Sequence, residues 1–302
     1  MPGDGFLSLL KPPGMTSHDV VAFVRSRLGV RRVGHLGTLD PAAAGVLPAA
    51  VGRATRLFRF AGGGDKAYRA EVVFGIETDT LDAEGRVLAR RDSGDLTETR
   101  LGELLPEFVG EIEQAPPAFS AAQVGGRRLH ELARSGSPRE GRPKRVRIGE
   151  FELVEFVPGE SARALIDVVC EAGTYVRVLA AELGRAAGCG AYLGFLVRTR
   201  VGRFTLPQSL TLEEFEAACE RGEGDTLLLP PDWPLDHLPA VTLDERAARA
   251  FLQGSRVRAT SSAAWPVRAY GPAESFLGLG EVMAESQMRP RVVLAAQGSA
   301  EA

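Results

Sequence analysis

Lysine, cysteine and histidine are all scarce in this 302-residue chain: it has three lysines within a combined Lys and Arg count of 36, three cysteines and four histidines. Cys170, Cys189 and Cys219 lie 19 and 30 residues apart, form no CxxC pair and are odd in number, which argues against a disulfide framework and leaves them as core or incidental thiols. His18, His35, His130 and His237 show no i, i+4 pair and no HExxH pattern, so no metal site is expected. No stretch approaches the ~20 consecutive apolar residues of a membrane span. The first residues hold only the short apolar run Phe6 to Leu10 with no basic region before it, so a soluble, cytoplasmic protein is expected. A G-x-S-x-G elbow is missing, and so is the Gly-Lys-[Ser/Thr] ending that would make a phosphate loop of Gly62 to Lys66. Thr78 to Gly85 is acidic but lacks the D-x-[DN]-x-[DN]-G calcium pattern and reads as a hairpin turn. With 44% hydrophobic and 25% charged residues, global disorder is excluded, and at roughly 100 to 200 residues per domain the length predicts one large domain and a smaller one.

Net charge is also nearly absent, at -3, which at first speaks against a polyanionic partner. The average hides a segregation along the chain. Lys11 to Arg59 carries eight basic residues against Asp19 and Asp40, and Val124 to Arg147 carries eight against Glu131 and Glu140. Arg185 to Arg203 adds four arginines and no acid, whereas Thr211 to Ala250 holds ten carboxylates and three arginines. Segregated basic stretches are the footprint of a phosphate-binding surface; solvated faces rich in arginine are the competing explanation.

The pattern along the chain is mixed α and β. Phe6 to Leu10 reads as a short strand, followed by the turn Lys11-Pro-Pro-Gly-Met15. Ser17 is expected to cap a helix that buries Val20, Val21, Val24 and Leu28 and stops at Gly29. From Ala67 to Gly75 the residues alternate, with Tyr68, Ala70, Val72 and Phe74 on one face, which predicts a half-buried strand and an inward Tyr68. Thr97 to Val109 and the basic Arg127 to Arg134 read as helices, and Val146 to Val157, Arg163 to Cys170 and Tyr192 to Leu206 as strands. Thr174 opens another helix, Glu213 to Glu220 an acidic one, and Leu229 to Pro234 reads as a linker. A second unit of short helix and strands starts near Ala240, and Ala295 to Ala302 reads as a flexible tail.

Two segments could carry chemistry. Gly34-His-Leu-Gly-Thr-Leu-Asp-Pro41 is rich in small residues, and Pro41 biases Asp40 toward an extended backbone. It is either an Asp-Pro turn or a carboxylate displayed to a bulky planar substrate. If Thr174 caps its helix, Arg177 falls in the first turn, where the helix dipole disfavours a cation by roughly 0.3 to 1 kcal/mol. A carboxylate partner would remove that objection; an arginine extended into water is the alternative.

Together with Lys66-Ala-Tyr-Arg69, Thr78-Asp-Thr-Leu-Asp82, Pro116-Pro-Ala-Phe-Ser-Ala121 and Gly173-Thr-Tyr-Val-Arg177, the segments Lys11 to Ser17 and Gly34 to Pro48 resemble the TruB family of bacterial tRNA pseudouridine synthases, in the family's order over roughly residues 5 to 235. The resemblance implies an α+β fold: a catalytic domain over 1–235 built on a mixed, mainly antiparallel sheet, with an RNA-clamping insertion at about 120–147. Residues 236–294, with Phe276-Leu-Gly-Leu-Gly-Glu281, are similar to the small β-barrel RNA-binding domain called PUA, and 295–302 would be the tail. It further implies isomerisation of uridine 55 in the T loop of tRNA, by base flipping and without a cofactor, by a monomer that also helps tRNA to fold. Asp40 would be the catalytic carboxylate, Tyr68 the aromatic that stacks on the base and serves as general base if its pKa is lowered, and Arg177 the ion partner of Asp40. Substrate-binding roles fall to His35, which would fill the gap left by the flipped nucleotide, and to Asp82, Tyr175, Leu196 and Lys11. The clamp would be Arg127, Arg128, Arg139, Arg142, Lys144 and Arg145. Phe119, Gln123 and His130 depart from the family's usual Tyr, Lys and Tyr. An RNA-binding protein or tRNA chaperone without catalysis would need the basic surface but not the trio Asp40, Tyr68 and Arg177. A small-nucleoside hydrolase would leave the basic clamp without a purpose.

Overall fold

The alternating residues from Lys66 onward form the middle of the molecule's main sheet. The computed structural model describes residues 3–62, 64–120, 122–135, 141–259, 261 and 264–294. In chain order the first half comprises β1 (Gly5–Lys11), α1 (Ser17–Leu28), β2 (Val33–His35), β3 (Ala44–Val51), α2 (Phe58–Ala61), β4 (Lys66–Phe74), β5 (Ile76–Thr78), β6 (Val87–Arg90), α3 (Glu98–Leu104) and β7 (Gly110–Gln114). Then follow β8 (Gln123–Val124), β9 (Arg127–Arg128), α4 (Leu129–Arg134), β10 (Lys144–Val157), β11 (Arg163–Cys170), α5 (Val176–Ala186), β12 (Ala191–Val201), β13 (Phe204–Thr205) and α6 (Leu212–Glu220). The last unit holds β14 (Ala240–Thr242), α7 (Glu245–Leu252), β15 (Val257–Arg258), β16 (Val267–Tyr270), β17 (Phe276–Met283) and β18 (Gln287–Val293).

The main sheet runs β1-β3-β12-β4-β11-β10-β7, with β2 on β3 and β13 on β12. Every pair is antiparallel except β3 with β12, which meet through two residue pairs. That junction brings β3 so close to β12 that a Cβ on Gly45, whose φ is +112, would lie 2.2 Å from the Arg198 carbonyl oxygen. The inward face of β4 (Tyr68, Ala70, Val72, Phe74) packs with Leu179 and Leu183 of α5 and Leu101 and Leu104 of α3. At the β1 end of the sheet, Leu7 and Leu9 of β1 pack with Val20 and Val24 of α1 and Phe215 of α6.

Several boundaries differ from the sequence reading for identifiable reasons. The cap of α1 is Thr16, in a capping box with Asp19, because the Ser17 hydroxyl is committed to Leu39. Helix α3 gives way to a 3₁₀ turn over Leu105–Phe108, where Pro106 lacks the N–H that an α-helix needs. Arg127 and Arg128 are a strand of the small β8–β9 hairpin, and the helix begins only at Leu129. Leu229 to Pro234 is no loose linker: Leu229 exchanges two backbone hydrogen bonds with Phe6, at 2.8 and 2.9 Å, and Trp233 lies against Phe204. Residues 295–302 fall outside the described residues.

The last unit has its own sheet, ordered β14-β16-β17-β18-β15, and its own core of Leu243, Phe251, Val267 and Met288 beneath α7. Among the described residues the strand path of this sheet is open rather than closed into a ring. Leu279, Val292 and Leu294 of this unit are buried in one cluster with Phe6, Val46 and Leu57 of the main domain. Tyr270 also donates to Asp232 at 2.7 Å across the same junction.

Candidate active site

The loop from Leu36 to Ala43 leaves β2, turns at Gly37 (φ +84) and enters β3. Its backbone is gripped from two sides. From the α1 side, Ser17 Oγ accepts from Leu39 N at 2.9 Å and donates to Leu39 O at 3.1 Å. Gly14 N and Lys11 Nζ both donate to Pro41 O, at 2.8 and 3.0 Å. Lys11 gives its other bonds to Pro12 O and Met15 O, so the Lys11–Ser17 turn is docked on the loop. From the β12 side, the fully buried Arg198 donates to Val46 O (2.7 Å), Gly37 O (3.1 Å) and Thr38 O (3.4 Å). Between these anchors the Asp40 side chain stays 49% exposed.

One guanidinium then aims it. Arg177, second residue of α5, is 8% exposed and holds Asp40 Oδ2 through Nε at 3.0 Å. Its Nη1 donates to Asp82 Oδ2 (3.2 Å) and Thr80 O (3.0 Å), and its Nη2 to Phe119 O (3.1 Å). The two carboxylates answer the dipole objection to a cation in a first helical turn. The helix is capped at Tyr175 rather than Thr174, one residue later than the sequence suggests. Asp82 is delivered by the β5–β6 hairpin, where Leu81 is forced to φ +65 and its carbonyl accepts from Leu193 N at 3.0 Å. A left-handed leucine is costly, and here it turns the next carboxylate onto Arg177.

Asp40 and Arg177 border a cavity of about 240 Å³ that also takes in Lys66, Tyr68, Tyr175 and Leu196. Tyr68 is 8% exposed, and burial pushes its phenol up to about 12, against a smaller opposing pull from Arg198, which lies directly across from it on β12. The condition set for Tyr68 as a general base, a lowered pKa, is therefore not met by the resting site. Burial, followed by the charge of Arg198, brings Lys66 down to about 8. Tyr175 is held by the buried Gln114, which bonds its N–H at 3.0 Å and its carbonyl at 3.3 Å, and by the Lys144 ammonium 4.8 Å above its ring.

The sequence-derived set is thus divided. Asp40, Tyr68, Arg177, Tyr175 and Leu196 come together around the cavity, and Asp82 joins from behind Asp40 in an adjoining space of about 30 Å³. Lys11 is 1% exposed and holds carbonyls instead of facing the cavity; burial brings it down to about 8. His35 lies outside the cavity lining, edge-on to His18 at 5.4 Å, and burial lowers its pKa. Lys144 belongs to the Tyr175 support, while Arg127, Arg142 and Arg145 are exposed. The side chains of Arg128 and His130, and all of Arg139, lie outside the described residues. Arg198, Gln114 and Lys66 went unassigned from sequence. The spacing of Arg198 from Leu196 and of Lys66 from Tyr68, two residues on a strand, was the available signal.

Cys170 and Cys189 are buried free thiols, with Cys170 pushed up to about 11 by burial. Among the described residues no group of three His, Cys, Asp or Glu is placed to hold a metal ion, and no helix is long and apolar enough to cross a membrane.

Three family profiles match consecutive stretches of the chain: TruB family pseudouridylate synthase (N terminal domain) over residues 25–176, tRNA pseudouridylate synthase B C-terminal domain over 177–236, and Pseudouridine synthase II TruB, C-terminal, over 239–294. The tRNA pseudouridine synthase B of Symbiobacterium thermophilum is 55% identical over 251 residues, covering 83% of this chain and 82% of that protein. That of Gloeobacter violaceus is 45% identical over 292 residues, covering 96% and 99%. Among solved structures, one described as an H/ACA RNP bound to a substrate RNA containing 2'-deoxyuridine superposes with a TM-score of 0.74 at 26% identity, over 97% of this chain and 86% of the other.

Proposed function

Because the chain belongs to the TruB family of pseudouridylate synthases and isomerises uridine to pseudouridine in tRNA, we propose that its target is uridine 55 of the T loop, flipped out of the folded arm into the Asp40 cavity. The observation that carries this reading is the single Arg177 guanidinium shared by Asp40 and Asp82, which leaves one Asp40 face open to a planar ligand beside Tyr68.

The reaction breaks the bond from uracil N1 to ribose C1', turns the base and joins C5 to C1', with the C5 proton lost and N1 protonated; it is redox-neutral. Asp40 either bonds to C1' or to C6, or assists loss of the C2' proton. Arg177 holds it in place for any of these. Tyr68 stacks on the base as a neutral phenol. Burial holds the phenol near 12, so in the resting site it carries its proton and is not yet a base. Leu196 packs against the base edge, and His35, edge-on to His18, would fill the gap that the flipped nucleotide leaves. The exposed Arg127, Arg142 and Arg145, with Arg139 and Arg128, grip the RNA backbone, whose shape rather than base edges is read. Residues 236–294 serve as a PUA-like RNA-binding unit attached to a catalytic domain over 1–235. The same surface supports a tRNA-folding role that does not need Asp40.

Mapping by carbodiimide adducts and primer extension on an unmodified tRNA transcript tests the position. A new stop one nucleotide 3' of position 55, lost when that uridine is replaced by cytidine, is expected. Product at another uridine, or persistence in the cytidine transcript, would refute the assignment.

A further inference from the structure

Lys66 opens β4 two residues before Tyr68, so both side chains leave the same strand face and border the same cavity. Among the described residues the cavity lining contains two cations. Arg177 is occupied by two carboxylates and two carbonyls. Lys66 has no hydrogen bond or ion pair among the described residues; the charged neighbours that lower its pKa are cations, Arg198 of β12 and Lys144 of β10, and the Cys170 thiol of β11 opposes them. An ammonium drawn out of water beside other cations is unfavourable unless an anion arrives. Its position is deep: a Cβ on Gly37 would come within 2.8 Å of Nζ, so the ammonium sits under the turn that carries Asp40, in a space that only glycine leaves free.

Resting on the uridine-isomerising reading above, we infer that the Lys66 ammonium meets the negative charge that the uracil ring bears once its bond to ribose is broken. When the N1–C1' bond cleaves, both electrons stay with uracil and spread over N1, O2 and O4. C1' is satisfied by a bond from the Asp40 carboxylate, which breaks again when C5 attacks, or by loss of the C2' proton to Asp40, which returns it to C2' as the C5–C1' bond forms. The detached base must then turn before C5 attacks C1', and a cation on the cavity floor stabilises it through that turn without forming a bond of its own. The RNA phosphates, large and hydrated, stay at the mouth with the exposed arginines.

The test compares wild type with Lys66→Met and Lys66→Gln in single-turnover conversion of unmodified tRNA, alongside tRNA affinity measured across salt. Both variants should convert tRNA about 10²-fold more slowly, with Kd within about twofold of wild type and an unchanged salt slope. Wild-type turnover should decline as pH rises through about 8, and that decline should vanish in Lys66→Met. Lys11, Lys144, Cys170, Tyr68 and Arg198 remain in the variant, so a decline that persists belongs to one of them and overturns the inference. Turnover within threefold of wild type overturns it too. So does a weakened Kd with a salt slope reduced by about one, which marks a phosphate contact. Absence of pseudouridine with the wild-type enzyme would instead remove the functional reading beneath it. Lys66→Gln keeps a polar tip and supplies the result should the methionine variant misfold.

Discussion

Asp40 takes its direction from Arg177, so the two should fail together. Arg177→Met keeps the aliphatic stem but leaves Asp40 and Asp82 facing each other without a cation. Turnover should drop by 10³-fold or more, and thermal unfolding should report a loss of about 2 to 3 kcal/mol, less than a wholly buried pair because Asp40 is half exposed. Arg177→Lys should not rescue, since one ammonium cannot serve four acceptors spread around a planar fork; rescue to near wild-type rates would refute the fork's role. Tyr68→Phe should preserve tRNA affinity while losing turnover, and near-normal turnover would take the hydroxyl out of the chemistry. The buried lysines also set a pH signature of stability. Lys11 and Lys66 sit near 8 when folded against 10.5 as free side chains, so between these values the unfolded chain binds more protons. Their contribution to stability should therefore rise with pH across about 8 to 10.5 and stay constant below 8, where both are protonated in either state, while Cys170 and Tyr68, pushed up to about 11 and 12 by burial, oppose it above about 9. Urea titrations at stepped pH would measure this, with part of the slope lost in Lys66→Met. Arg198 could not be recognised as special from composition, in a chain where arginine greatly outnumbers lysine. Its two-residue spacing from Leu196 on one strand was the sequence signal, and the register sets it across from Tyr68 and beneath the Gly37–Thr38 carbonyls.

At the scale of elements, what was legible follows from periodicity and what was not follows from pairing. Strand β4 was readable because its alternation is local, and so was the stop of α1 at Gly29, whose φ of +64 suits glycine. The α1 cap was misplaced by one residue because Thr16 and Ser17 are both good caps, and the choice is made by a distant backbone at Leu39. Leu229 to Pro234 looks like a linker by composition, yet its order comes from pairing with β1, more than 200 residues earlier. The close approach of β3 and β12 yields an element-scale test. Gly45→Ala should cost more than about 2 kcal/mol, because the methyl would strike the Arg198 carbonyl and the backbone is left-handed there. An unchanged melting temperature would mean the strands separate easily. Arg127 in the β8–α4 segment, and Arg142 and Arg145 around the start of β10, are exposed. Reversing charge at Arg139, Arg142 and Arg145 should weaken tRNA binding most at low salt and flatten its salt dependence, whereas an unchanged affinity would reject the clamp.

For the whole molecule, a net charge of -3 proved uninformative because acids and arginines cancel in different places. Part of the basic count is spent internally: Arg27 pairs with Glu216 between α1 and α6, Arg53 with Asp4 at 2.6 Å, and Lys11 is buried. What remains outside includes the exposed Arg127, Arg142 and Arg145. The main domain and the last unit share a buried cluster and the Tyr270–Asp232 bond, so calorimetry should give one cooperative unfolding transition; two resolved transitions would mean that the junction is weak. The central claim, that Asp40 in this cavity isomerises uridine in tRNA, is met most directly by tritium release from an unmodified tRNA transcript labelled at uridine C5. Wild type should release one tritium per tRNA and Asp40→Asn none, with both proteins binding the transcript equally; no release from wild type, or equal release from both, would contradict it.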